Sequence, residues 1–240
     1  MSTAPAYLPP QKSDNFGSDV AGMFAFFIDP SAAARRVHRR WFWIAPFAVV
    51  IAISIVAGIL LEPIVRQVSA TLPMRPGATP AQQQRAIEIG IAAQRIFTPI
   101  SVAIMILVQA LIVYGTAVAF TIKAKFREFF NLLAGCSLIS IALTSIASII
   151  VLRSKGEVSS IADLTPALGL DIFLPDGANR FLAGILGYFS IFQLWWIVMI
   201  VLIISAAFRV SKGKALAIVT PLILLGLVMR ISLTIFRGQR

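Results

Sequence analysis

The sequence predicts an all-α, polytopic membrane protein: a five-transmembrane-helix bundle with an N-terminal amphipathic interfacial helix. Three observations carry that expectation. The 240 residues are 58% hydrophobic and only 13% charged, with a mean hydropathy of +0.89, where a soluble domain has roughly 45–50% and about 25%. Four segments, 41–61, 97–122, 129–152 and 181–208, hold no charge at all, and a fifth, 215–236, holds only Arg230. Each is long enough to cross a hydrocarbon core about 30 Å thick, which takes about 20 apolar residues. The basic residues collect between these segments. Such a composition excludes an ordinary soluble enzyme, a disordered chain and a disulfide scaffold.

Taken in order, residues 1–18 are expected to form a disordered cytoplasmic tail, of which 1–14 are polar and proline-bearing. They lack the basic start, apolar core and small-residue site of a cleaved signal peptide. Residues 19–40 form an amphipathic interfacial segment. Its first part, 19–28, is apolar but too short to span. Asp29-Pro30 then starts a helix, Asp as the cap and Pro at the first helical position. That helix sets Ala33, Val37 and Trp41 on one stripe for the acyl chains and Arg35, Arg36, Arg39 and Arg40 on the other side for lipid headgroups. Residues 41–236 form the membrane domain, and Trp41 and Trp43 suit the interface where the first span begins.

The connection 62–95 is interrupted by Pro73, Pro76 and Gly77, and Thr79-Pro80 starts a second helix over 81–95. The connection 153–180 carries Pro166, Gly169, Pro175 and Gly177, with the apolar patch 168–174 expected to lie along the membrane surface. With the N-terminus inside, the inner segments carry eleven Lys and Arg, three of them in each of the six-residue connections 123–128 and 209–214. The outer segments carry nine, spread over longer stretches. This bias predicts a cytoplasmic N-terminus and an external C-terminus in a plasma or inner membrane. The net charge of +11 then reads as attraction to anionic phospholipid rather than to nucleic acid.

Chemistry is sparse. Cys136 and His38 are single residues of their kind, so neither an intrachain disulfide nor a multi-histidine metal site can form, and no cofactor is expected. No Asp or Glu falls inside a span, where proton-coupled transporters and intramembrane proteases usually need ionisable groups. His38, among arginines, reads as a solvated residue of the basic face. No nucleophile–base pair and no phosphate-binding loop is present, so no enzymatic activity is expected.

The polar residues within the spans leave two readings open. Gln109 and Gln193 lie mid-span and serve either as interhelical hydrogen-bonding groups or as part of a cleft. Ser137, Ser140, Thr144 and Ser148 share one stripe, suited to close helix approach or to a polar path. Ala183 and Gly187 form a small-residue pair on the fourth span. Trp195-Trp196 lies mid-span beside Gln193, and it fits a core or a ligand cleft. Arg230, which costs roughly 2.5–3.5 kcal/mol at a bilayer centre, either snorkels outward or lines a cleft and binds a lipid phosphate. Gln109, Gln193, Trp195, Trp196 and Arg230 together form the candidate intramembrane cleft.

Several local patterns have a familiar order. Phe27-Ile28-Asp29-Pro30 precedes a basic amphipathic helix and the first span. Phe192-Gln193-Leu194-Trp195 lies in the fourth span, and Ala206-Ala207-Phe208-Arg209-Val210-Ser211-Lys212-Gly213-Lys214-Ala215-Leu216 turns that span into the last. Over about residues 24–236 this order resembles the Yip family, named for interaction with Ypt/Rab GTPases, in its prokaryotic branch. One departure is the third span, where many members carry a proline and 131–152 has none. The resemblance implies an integral membrane protein without established enzymatic activity. Eukaryotic members act in vesicle traffic, bind small GTPases and assemble with one another; a Rab GTPase partner is not expected of a bacterial chain. The expected function is a membrane scaffold or membrane-organising protein, with the phospholipid membrane, further copies of itself or other membrane proteins as partners. The alternatives are a small-molecule or lipid transporter using the cleft and, weakest, an enzyme acting on lipid.

Overall fold

The computed structural model describes residues 16–71, 77, 79–155, 158, 164, 166–175 and 178–237, apart from the side chains of 16 and 237. Residues 1–15 of the expected tail and the breaks at Pro73 and Pro76 lie outside them, while 16–18, expected in the disordered tail, are helical. Ten α-helices are described, with a π-helical turn and a short 3-10 turn. They are α1 (Phe16–Met23), α2 (Ala25–Ile28), α3 (Pro30–Val37), α4 (Ile44–Thr71), α5 (Pro80–Ala119), α6 (Phe126–Ser137), α7 (Thr144–Ser154), α8 (Arg180–Tyr188), α9 (Ile191–Phe208) and α10 (Lys212–Arg237). Five spans are long and apolar enough to cross a membrane: α4, α5, the run from α6 through α7, α9 and α10. The bundle expected from hydropathy is present.

Two connections differ from expectation. Residues 81–95 are not a separate helix. The Thr79 hydroxyl accepts from the Gln82 N–H at 3.3 Å and the Gln82 side chain accepts from the Thr79 N–H at 2.8 Å. From that capping box one helix of 40 residues runs through Pro99 to Ala119, because the Ala- and Gln-rich stretch favours helix and no turn residue separates it from the span. The fourth span, conversely, is cut in two. Ser190 is extended, and its hydroxyl accepts from the Gln193 N–H at 3.1 Å to start α9. Gly169, from the preceding connection, forms an isolated bridge with Ser190. It fits so closely that a Cβ there would lie 2.8 Å from the Leu186 carbonyl oxygen. The remaining α9 has 18 residues, about 27 Å at 1.5 Å per residue.

The detached α8 packs on α10 at Gly184, where a Cβ would lie 2.9 Å from the Ile231 Cα. Gly184 rather than Ala183 therefore makes the close approach. The patch around 168–174 forms a 3-10 turn, Leu170–Phe173, with Ile172 and Phe173 exposed. In the third span a π-helical turn, Leu138–Leu143, stands between α6 and α7. The helix widens there although no proline is present.

The main core gathers at the end of the bundle where α3, α6 and α9 meet. Phe26 and Phe42 stack at 5.3 Å, and Phe129 and Phe208 at 4.9 Å. Phe26 lies over Gly135, where a Cβ would fall 2.3 Å from the ring. Leu132, Leu133, Ile200, Ile203 and Ile218 complete the fully buried centre.

Candidate functional site: a basic junction at one end of the bundle

Asp29 caps α3 as expected, its carboxylate accepting from the Ser31 and Ala32 N–H groups at 3.0 and 2.9 Å. The rest of this segment differs from the expected interfacial helix. Ala33 and Val37 are fully buried within the protein, whereas Trp41 lies past the end of the helix and is 57% exposed. The stripe meant for acyl chains is thus split, and its helical part packs on the bundle. The Trp195 indole N–H donates to the Phe27 carbonyl at 3.0 Å, and a His38 ring nitrogen lies 3.2 Å from the Ala207 carbonyl. Between those contacts α3 packs along α9, and the twelve steps from Trp195 to Ala207 cover about 18 Å.

The four arginines separate for the same reason. Arg36 and Arg39 turn to Asp19 on α1, with Nη1 donating to Oδ1 at 3.0 and 2.7 Å. Arg35 and Arg40 remain exposed, Arg40 with its guanidinium 5.2 Å from the centre of the Trp41 ring. The expected set of four headgroup contacts is therefore reduced to two outward cations in this segment.

His38 joins three parts of the chain. Nδ1 lies 2.9 Å from Glu128 Oε1 in the first turn of α6, and Nε2 faces Ala207 in the last turn of α9. Its ring meets Phe208 edge-on at 5.8 Å. Glu128 also accepts from the Lys125 N–H at 2.9 Å through Oε2. His38 is thus a tie between connections, not a residue free in solvent. At the same end stand Lys123 and Lys125 before α6, Arg209 after α9 and Lys212 at the start of α10, all four exposed. Glu128 is the carboxylate among them, and His38 occupies one of its oxygens.

Asn131, which sequence reasoning passed over, holds the same junction from inside. It is fully buried. Its Nδ2 donates to the Val37 and Arg39 carbonyls at 2.8 and 2.6 Å, and its Oδ1 accepts from the Trp43 N–H at 3.1 Å. One amide thereby serves the end of α3 and the approach to α4. The signal was available: an amide inside an otherwise apolar span must find partners.

The candidate cleft residues do not converge. The Gln193 amide donates to the Tyr188 hydroxyl at 3.1 Å, across the break between α8 and α9. Trp195 faces α2, while Trp196 is 3% exposed in the core and its Nε1 has no hydrogen-bond partner. Arg230 lies 4.0 Å from Asp171 in the far connection. Gln109 is half-buried on α5, which packs on α4, α6 and α10. In the hydroxyl stripe, Ser137 is buried and donates back to Ala134 at 2.6 Å, a helix-internal role. Among the described residues no group of three or more His, Cys, Asp or Glu is placed to hold a metal ion.

The fold and this junction define an all-helical, multi-pass membrane protein whose N-terminal helices brace its fourth span. The Yip1 domain family matches residues 24–233, and the chain belongs to that family. The two short patterns that resembled it, around Phe27 and around Trp195, are the two ends of one hydrogen bond. No curated protein and no solved structure matches the chain.

Proposed function

We propose that the protein is a non-enzymatic membrane scaffold that holds anionic phospholipid at the basic end of its bundle. There it organises the surrounding bilayer, further copies of itself or other membrane proteins. The observation that carries this reading is the His38 tie. It draws three basic connections to one end, where Arg35, Arg40, Lys123, Lys125, Arg209 and Lys212 are all exposed. Each such cation near an anionic leaflet contributes about 1 kcal/mol of attraction. In this reading that end is cytoplasmic, the chain sits in a plasma or inner membrane, and the C-terminus lies outside.

Trp41 supplies a local probe, since it is exposed beside Arg40. In proteoliposomes, phosphatidylglycerol spin-labelled at the headgroup should quench Trp41 fluorescence more than equally labelled phosphatidylcholine. The difference should shrink between 0.1 and 1 M salt, as the screening length falls from about 10 to 3 Å. The Trp41→Phe variant identifies its share of the signal. Equal quenching by the two lipids would remove the anionic preference on which the reading stands.

A further inference from the structure

The far end of the bundle carries a feature that the basic junction does not use. Two adjoining cavities, one of about 210 Å³ between α4 and α5 and one of about 480 Å³ that extends to α7, share Ser54, Gly58, Val65, Gln94 and Thr98 in their walls. Together they reach the size of a small-molecule site, about 300–1,000 Å³. The lining is chiefly apolar, and the Ser54 hydroxyl is turned back onto the Val50 carbonyl at 2.8 Å. Ile55 and Ile59 on the wall are exposed, so the cleft opens sideways, where the bilayer lies.

Depth and charge say what fits. At 1.5 Å per residue, Ser54 lies about 15 Å along α4 from Ile44 and Glu62 about 27 Å. With a hydrocarbon core about 30 Å thick, the cleft runs from the bilayer midplane to the far headgroup level, the length of one leaflet. At that level Glu62 pairs with Arg66, at 2.9 Å, and with Arg95. Arg153, from α7, donates to the Leu60 carbonyl at 3.2 Å. Two guanidiniums therefore share one carboxylate, and a third, that of Arg153, is held on the α4 backbone. The Arg66 and Arg95 side chains are 42% and 57% exposed, which leaves donors of their five-donor forks facing outward. A phosphate monoanion matches that surplus, and guanidinium–phosphate bonds are among the stronger hydrogen bonds. A water-soluble anion would leave the apolar cleft empty.

We infer that the cleft between α4, α5 and α7 binds one anionic glycerophospholipid of the far leaflet, an acyl chain in the cleft and its phosphate at Arg66 and Arg95. This site lies at the opposite end from the basic junction and does not rest on the scaffold reading. Gly58 gives a clean test, because a Cβ there meets nothing within 4 Å. Gly58→Leu should fill the cleft without displacing a neighbour.

The full chain is placed in phosphatidylcholine nanodiscs containing a small fraction of phosphatidylglycerol with a diazirine on the acyl chain, irradiated and digested. Labelling is expected on residues 54–65 and 94–102. It should fall about tenfold in Gly58→Leu and in Thr98→Leu, which fills the cleft from the opposite wall. It should hold in Gly115→Leu, another glycine with open space around it on α5. A phosphatidylcholine probe should label the site about tenfold less, and Arg66→Gln/Arg95→Gln should erase that difference. Unchanged labelling in both cleft-filling variants would overturn the site, and equal labelling by the two probes would overturn its anionic headgroup. Neutralising Arg35, Arg40, Lys123 and Lys125 should leave this labelling intact, so the two proposals fail separately.

Discussion

Replacing Asn131 by leucine removes three hydrogen bonds in one step. The Trp43 N–H and the Val37 and Arg39 carbonyls lose partners at 3.1, 2.8 and 2.6 Å. A buried group left unsatisfied costs about 1–3 kcal/mol. Arg39 is only half-buried, so water can reach its carbonyl, and the full cost falls on the Trp43 N–H and the Val37 carbonyl. The added apolar burial of leucine returns about 1 kcal/mol. The expected net loss is about 1–5 kcal/mol, a large share of the 5–15 kcal/mol that holds a typical fold together. Equilibrium unfolding in mixed micelles, followed by tryptophan fluorescence, measures it. Asn131→Asp retains the acceptor for Trp43 but sets lone pairs against two carbonyls, and it should be at least as damaging. A loss below about 0.5 kcal/mol for Asn131→Leu would refute the reasoning, since the clamp would then be doing no more than filling space.

Other substitutions test separate contacts. Gly135→Ala drives a methyl into the Phe26 ring, 2.3 Å away, and should cost about 1–3 kcal/mol as overpacking does; Phe26→Leu in the same chain should recover part of it, read as a double-mutant coupling. Thr121 is β-branched with φ at 59°, a strained position, so Thr121→Gly should raise the unfolding midpoint by the equivalent of about 1 kcal/mol. Trp195→Phe removes the bond to Phe27 and should cost about 0.5–1.5 kcal/mol, seen as faster amide hydrogen exchange confined to residues 16–43. Gly184→Leu should separate α8 from α10 and lower the unfolding midpoint, whereas Gly58→Leu should leave it level or raise it, since leucine favours helix by about 1 kcal/mol over glycine.

The five spans were legible because hydropathy is a local property and each crossing needs only an unbroken apolar run. The helix start at Asp29-Pro30 was legible for the same reason, as a cap is made by neighbours in sequence. Ala33 and Val37 were not, because an apolar stripe reads alike whether lipid or protein covers it. Their burial depends on α9, some 165 residues away, while Arg36 and Arg39 are diverted to Asp19 on α1. The cut in the fourth span was hidden because Ser190 sits in an apolar run, and Gly169 reaches it only through the fold. The far-end cleft left a trace in the i, i+4 series Ser54, Gly58, Glu62, Arg66 on one helix face, but only contact with α5 makes the series a wall. Gln109, Gln193, Trp195, Trp196 and Arg230 share a polar or aromatic character without sharing neighbours. Sequence alone does not separate these cases.

The central claim is that clustered cations at one end of the bundle hold anionic lipid. Native mass spectrometry of the full chain, released from membranes holding equal phosphatidylglycerol and phosphatidylcholine, tests it most directly. The Gly58→Leu background removes the contribution of the far-end cleft. In that background the protein is expected to retain phosphatidylglycerol at least tenfold over phosphatidylcholine, a preference of about 1.4 kcal/mol. Replacing Arg35, Arg40, Lys123 and Lys125 by glutamine should abolish it. Equal retention of the two lipids, or a preference untouched by the four substitutions, would contradict the claim.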